Sequence, residues 1–473
     1  MKLTKLSLVN FRGFEHLELG FSSDVNVIAG ENGIGKSSIL YALARLLSHV
    51  VNDFTVGKMP KQEFSDFDIR MKADGPAGWF QVSGDFFLAD TNFNLSVDRI
   101  GLSAEQRKAF KEEIAKLELE LPVVEGGNKR DRDKEIKRVK RDIAARKSVL
   151  SGGEERTSLI MAGLEVPGIE VDPRAADKAL RDFMSGLKKL PNQPIAVYYT
   201  TRRFFNDSFK SIPTSPPFSV LRAYSNALED LDVSLKDFAH WFHFASKNDK
   251  GARIADRMTE VVSEFIPEFR NLRLVDQAPI HFLVDKAGIT LALTNLSDGE
   301  RGLLAMVFDL TRRLALANPA SDDPIGEGSA IVLIDEIELH LHPRWQQTVI
   351  PRLKDTFPKV QFIMTTHSPQ ALTSVHSSNI AIIREGKAFP APGGMYGAES
   401  KRALERAMSV ESRPQNERVE KLEELYRLID QEEFERATTL AHALDLEFSG
   451  EEPAINEALT IIKNRIWEKE MGI

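Results

Sequence analysis

Gly30-Glu31-Asn32-Gly33-Ile34-Gly35-Lys36-Ser37 fits the phosphate-loop pattern G-x-x-x-x-G-K-[ST]. Glycines at those positions let the backbone curl until several N–H groups face one anion, and a helix starting at Lys36 adds the positive end of its dipole. Residues 24–29, apolar at Val25, Val27, Ile28 and Ala29, predict a strand just before the loop. Behind it Ile39, Leu40, Leu43, Leu46 and Leu47 recur at helical spacing, which predicts a helix over 36–50. Strand, glycine loop and helix in that order open an α/β nucleotide-binding core. Lys36 is then placed for the β- and γ-phosphates of a triphosphate, and the Ser37 hydroxyl for Mg²⁺.

The rest of the chain suits a large α/β protein. It has 473 residues, enough for two to four modules, and 42% of them are hydrophobic. The 62 Lys and Arg against 70 Asp and Glu leave a formal charge of −8, which argues against a surface that coats nucleic acid throughout. There is no cysteine, which excludes disulfide scaffolds, thiolate-bound zinc, iron–sulfur ligation and a thiol nucleophile. The first residues, Met1-Lys2-Leu3-Thr4-Lys5, alternate like a strand and not like a signal segment. No run approaches the roughly 20 apolar residues of a bilayer span, so a cytoplasmic chain is expected.

Outward from the loop, strands are expected over 2–9 and within 79–95, and polar helices over 104–121 and 129–150. Neither helix holds an apolar heptad, so a long coiled coil is not expected. A strand over 195–200, helices over 223–245 and 253–269, and strands over 281–285 and 290–293 follow. Continuous apolar runs at 330–334, 360–364 and 380–383 read as buried parallel strands. Beyond 401 three helical stripes follow, on Val419, Leu422, Leu425 and Ile429, on Phe434, Ala437, Leu440 and Leu444, and on Ile455, Leu459, Ile462 and Ile466. The expected division is an N-terminal head lobe over 1–100, an inserted helical lid over 101–275, a C-terminal head lobe over 276–400 and a helical tail over 401–473.

Three further stretches carry chemistry. The apolar run 330–334 ends in Asp335-Glu336: Asp335 is placed to hold Mg²⁺, and Glu336 to polarise an attacking water as general base. Leu296-Ser297-Asp298-Gly299-Glu300 precedes a helix expected over 302–316 and can offer a hydroxyl, amide N–H groups and a helix dipole to an anion. His367, in Thr365-Thr366-His367-Ser368-Pro369, follows another strand, where an imidazole can sense a γ-phosphate.

Phosphate loop, L-S-x-G-E, apolar strand with Asp-Glu and then a histidine is the order found in ABC-type ATPases, and the chain resembles them. Leu8-Val9-Asn10-Phe11-Arg12-Gly13-Phe14 and the run from Asp335-Glu336 to His342-Pro343 resemble the SMC/RecF/OLD-like branch, which serves DNA repair and phage defence. Within it, Ala196-Val197-Tyr198-Tyr199-Thr200-Thr201-Arg202, residues 239–244 and the tail resemble the PtuA ATPases of Septu antiphage systems, whose partner is an HNH nuclease. The resemblance implies an ABC/SMC-like head that dimerises around ATP and Mg²⁺. Gly30, Glu31, Asn32, Gly33, Ile34, Gly35, Lys36, Ser37 and Ser38, with Asp335, Glu336 and His367, would come from one subunit, and Ser297 and Gly299 from the other. Arg12 would approach the nucleotide, and residues 338–342 would cross the dimer seam, which makes His340 and His342 a poor metal pair. The usual Q-loop glutamine has no single place: Gln62 and Gln81 are candidates, with Asp68 as a substitute.

The 260 positions from Ser37 to Ser297 exceed a compact transporter ATPase and fall short of SMC arms, so a compact lid is expected. Residues 129–147 carry ten Lys or Arg against four Asp or Glu, either a solvated face or a track for a DNA backbone. Arg202-Arg203 can stack on bases, line the nucleotide pocket or pack the lid. The function implied is an ATPase that regulates a separate nuclease, with itself, an HNH nuclease and DNA as partners and no nuclease site of its own. The alternatives are a stand-alone RecF/SMC-like repair clamp and a nucleotide-gated scaffold.

Overall fold

In the computed structural model the strand before the loop, Val25–Ala29, lies inside a six-stranded sheet. Its order is Lys387–Pro390, Ile380–Arg384, Val25–Ala29, Val360–Thr366, Ala330–Ile334, Ile195–Tyr199, parallel throughout except at the first edge. Every residue of the three central strands is buried, as expected of parallel strands covered on both faces. The structure describes residues 1–54, 61–73, 75–100, 104–120, 139–140, 143, 154–161, 182–183, 185–203, 211–230, 232–247, 249–277, 280–411 and 413–471. No helix among them is long and apolar enough to cross a membrane.

An antiparallel sheet faces the first, in the order Phe14–Gly20, Lys2–Phe11, Trp79–Leu88, Thr91–Ile100, Glu154–Met161. A register shift between Leu3 and Lys5 explains why Leu3, Leu6 and Leu8 are all buried although their parity differs. Trp79–Leu88 and Thr91–Ile100 form a hairpin whose two turn residues, Ala89 and Asp90, both have positive φ (48° and 59°), the combination a two-residue turn demands. The phosphate-loop helix, Lys36–Phe54, packs against strands of both sheets and buries Ile39, Leu40, Leu43, Leu46, Leu47 and Val50. The helix after Ser297, Asp298–Ala317, packs on the strand Ile195–Tyr199: the Tyr199 hydroxyl donates to Met306 O and to Asp309, while Tyr198, one residue earlier, lines a cleft with Ser37.

The region expected as an inserted lid, 101–275, contributes to the head itself. Ile195–Tyr199 pairs with Ala330–Ile334, and Glu154–Met161 closes the edge of the antiparallel sheet. The helix expected over 223–245 is two, Leu221–Tyr224 and Leu235–Ala245. Asn226 takes a positive φ, and Ser234 starts the second helix by accepting from the Asp237 N–H. The helix expected over 253–269 spans Asp249–Phe265, and Phe269 begins a strand of the three-stranded meander Phe269–Val275, His281–Lys286, Ile289–Ala292. The helix expected over 129–150 lies almost wholly outside the described residues.

The chain divides into two units, Met1–Met408 and Ser409–Ile473. The first runs beyond the expected boundary at 400 because the helix Ser400–Ala407 buries Ala403 and Ala407 in the head's own core. The second unit is a three-helix cluster, Glu417–Asp430, Phe434–Glu447 and Pro453–Met471, around Leu425, Ile429, Ala437, Leu444, Ile455 and Ile462.

Candidate nucleotide site

Val25–Ala29, Val360–Thr366 and Ala330–Ile334 are adjacent and parallel, so their carboxyl ends lie side by side, the edge where open α/β sheets gather ligands. The phosphate loop leaves the first of these. Gly30 has φ +146°, and a Cβ there would stand 2.5 Å from the Ile383 carbonyl oxygen, so no other residue fits. Glu31, Asn32 and Gly33 are exposed, while Ile34 and Gly35 tuck inward before Lys36. Buried Lys36 donates through Nζ to Gly30 O (3.0 Å) and Glu31 O (2.7 Å), and lies 3.4 Å from His367 Nδ1. Burial lowers the Lys36 pKa to about 8, against the pull of Asp335, Glu336 and Glu338. Burial and the neighbouring Lys36 also hold His367 below its ordinary value.

Side chains lace the ends of the other two strands together. Thr365 Oγ1 donates to Asp335 Oδ1 (2.6 Å) and accepts from the Glu336 N–H (2.8 Å). Glu338 accepts from Thr366 Oγ1 (2.8 Å) and from the His367 N–H. Ser37 Oγ donates to Asp335 Oδ1 at 3.2 Å, which closes the arrangement from the loop side. Glu336 is half-buried with φ +47°, and its carboxylate makes no hydrogen bond among the described residues. It therefore keeps its acceptor capacity for water.

Ser37 and Asp335 both line a cleft of about 700 Å³ with Arg12, Tyr41, Gln62 and Tyr198. A hydroxyl and a carboxylate oxygen 3.2 Å apart at the mouth of such a cleft form a hard-oxygen donor pair that fits Mg²⁺, which takes one or two protein oxygens beside phosphate and water. Arg12 reaches the loop through Ser38 Oγ (3.2 Å), while Asp68 holds its Nε (2.8 Å) and Tyr41 stacks under its guanidinium (3.8 Å). Of the three Q-loop candidates, Gln62 lines the cleft, Asp68 is buried against Arg12 and Tyr41, and Gln81 bonds Asp98 on the neighbouring strand.

Ser297 and Gly299 stand apart from this cluster. Ser297 caps its helix and donates through Oγ to Glu300 (2.9 Å), whose other oxygen accepts from Lys286 (2.5 Å). A Cβ on Gly299 would lie 2.2 Å from His340 O, so glycine lets this helix start close against the turn after Asp335-Glu336. Among the described residues no hydrogen bond joins Ser297 or Gly299 to the phosphate loop of the same chain. Sequence reading gives Thr365 no role of its own and leaves Arg203 among three: stacking on bases, lining the nucleotide pocket or packing the lid. Thr365 reads as the start of a loop past the run 360–364, and Arg203, buried beneath residues 335–337, is one of an Arg pair whose spacing names no partner. The only signal for Arg203 was that pair beside a predicted strand.

Two family descriptions match: "AAA domain, putative AbiEii toxin, Type IV TA system" over residues 203–373 and "AAA ATPase domain" over residues 1–145. The "Retron Ec83 probable ATPase" of Escherichia coli is 29% identical across 99% of this chain and 88% of its own length. The "Septu protein PtuA" of Bacillus mycoides is 39% identical over 20% of this chain and 13% of its own. A solved structure titled "Crystal structure of the SmcHead bound to the C-winged helix domain of ScpA" aligns with a TM-score of 0.43 and 16% identity, over 82% of this chain and 96% of that one. With a phosphate loop, an acid-tipped strand and a histidine meeting at one sheet edge, and with relatives described as ATPases along its length, the chain resembles ABC/SMC-like P-loop ATPases, among them the retron ATPases and PtuA.

Proposed function

We propose that this chain hydrolyses MgATP as a homodimer that sandwiches two nucleotides, and that the closed dimer gates a partner nuclease of HNH type in antiphage defence. The carrying observation is two contact groups at one sheet edge: Lys36 Nζ lies 3.4 Å from His367 Nδ1, and Ser37 and Thr365 both donate to Asp335 Oδ1, at 3.2 and 2.6 Å. Lys36 and the loop amides neutralise the triphosphate, and Ser37 and Asp335 would hold Mg²⁺, which supplies charge compensation at the β- and γ-oxygens. Glu336 takes the proton from the attacking water, and His367 holds the γ-phosphate end from the far side of Lys36.

Ser297 and Gly299 then serve the opposite subunit. Their helix N-terminus meets a γ-phosphate only when a second copy presents one, so ATP binds the closed dimer better than the open one, and hydrolysis removes that difference. The retron and Septu likenesses support the defence setting. DNA is the remaining partner, drawn to the basic stretch 129–147, which is almost wholly outside the described residues.

Glu336→Gln tests the reading. Turnover should fall about 10²–10⁴-fold, the range for a lost general base, while MgATP traps a dimer visible by light scattering. Wild-type phosphate release in that variant, or a monomer at saturating MgATP, would count against it. Co-purification with a neighbouring HNH nuclease supports gating; salt-dependent DNA binding by the chain alone, without such a partner, supports a repair clamp instead.

A further inference from the structure

Arg203 lies just past the edge strand Ile195–Tyr199, and its guanidinium turns in under the acid-tipped strand. The residue is 5% exposed. Nη1 donates to Asp335 O (2.5 Å) and Thr200 O (3.4 Å), and Nη2 to Glu336 O (2.6 Å) and Ile337 O (3.3 Å). All four partners are carbonyl oxygens. Among the described residues no carboxylate hydrogen-bonds this buried cation, although the charges of Glu338, Asp335 and Glu336 favour it, so its donors are spent on the backbone. Three of the carbonyls belong to consecutive residues, and the middle one is Glu336, held at φ +47°. A glutamate persists in that region only where its surroundings over-determine it. Here they do so from two sides: Thr365 takes the Glu336 N–H, and Arg203 takes the Glu336 carbonyl and those on either side of it.

We propose that Arg203 is a positioning residue for the hydrolytic step: its planar fork holds the carbonyls of residues 335–337 and so fixes the backbone from which the Glu336 carboxylate projects. The role rests on the reading of Glu336 as general base. A lysine keeps a buried positive charge but cannot reproduce a two-pronged planar donor set, which separates charge from geometry.

The test uses the full chain. Arg203→Lys should lower kcat for MgATP about a hundredfold, the cost of roughly an ångström of misplacement, while KM and MgATP affinity by calorimetry stay within about threefold. Arg203→Met, which removes the cation and the fork together, should lower kcat at least as far, and it replaces the lysine variant if that one melts below wild type. In single-turnover measurements on the Glu336→Gln background, the Arg203 substitution should add no more than about a factor of two, because the group it positions is gone. Wild-type kcat in a folded Arg203 variant overturns the proposal, as does an equal loss in both backgrounds, which would mark a general structural role. If Glu336→Gln itself turns over like wild type, the base assignment has failed and the Arg203 role falls with it; full loss in Glu336→Gln beside wild-type kcat in Arg203→Lys sinks the Arg203 role alone.

Discussion

The turn at Asp335–Glu338 and the helix start at Ser297–Glu300 are both polar segments, yet they are satisfied in opposite ways. The turn is held by groups far away in sequence: Ser37, Thr365, Thr366 and Arg203 all bond to it. The helix start is held mainly by itself, Ser297 and Glu300 capping each other with Lys286 behind them. A segment braced by three strands is pre-organised within one chain. A segment that satisfies its own donors can dock elsewhere at little cost, which suits a contribution made to a second subunit.

The sharpest way to break that contrast is Lys36→Ala, which removes the cation held by the Gly30 and Glu31 carbonyls beside His367. MgATP affinity should fall at least about a hundredfold by calorimetry, since several charge-assisted contacts go at once; undiminished affinity would undo the site. Thr365→Val comes next. It keeps the shape but strips Asp335 of a donor and leaves the half-buried Glu336 N–H without its partner, so kcat should drop about ten- to a hundredfold and stability by about 1 kcal/mol in denaturant melts.

Ser297→Ala should act differently: about 1 kcal/mol of stability from the lost cap, nucleotide affinity of the dilute monomer unchanged, and turnover reduced where dimers form. Equal losses in monomer and dimer would erase the distinction between the two regions. The smallest effect is in pH. Burial holds the Lys36 pKa down to about 8 in the free head, so above pH 8 the amine is increasingly neutral and MgATP binding must take up a proton there. Affinity should weaken by less than tenfold from pH 8 to pH 9, with proton uptake seen as buffer-dependent binding heats. A flat profile would place the lysine's charge outside the binding step.

Several elements were legible because their signal is local. The buried run at 330–334 is the strand observed, and the loop glycines and most of the three tail stripes stand where spacing puts them, although Ile466 is exposed. The run at 360–364 extends two residues further, as Val360–Thr366. Thr365 and Thr366 read as the start of a loop, but they pair with Ile28 and Ala29 and spend their hydroxyls on Asp335 and Glu338. The broken helix at 225–234 was missed for a related reason: apolar spacing continues through it, and a cap serine and a positive-φ asparagine end it instead.

The site divides along the same line. Lys36, Ser37, Asp335, Glu336 and His367 are nameable from the amino acids alone as candidates, because phosphate and Mg²⁺ chemistry calls for such groups at the ends of strands and at a helix start. Their order in the chain says nothing of which strands are neighbours, and only the sheet order brings Ser37 within 3.2 Å of Asp335. Local periodicity and motif chemistry reach a handful of residues along the backbone. The choice of Gln62 over Gln81 at the cleft, the Thr365 brace and the Arg203 fork are contacts across distant segments, and those exist only once the sheets have packed around the helix between them.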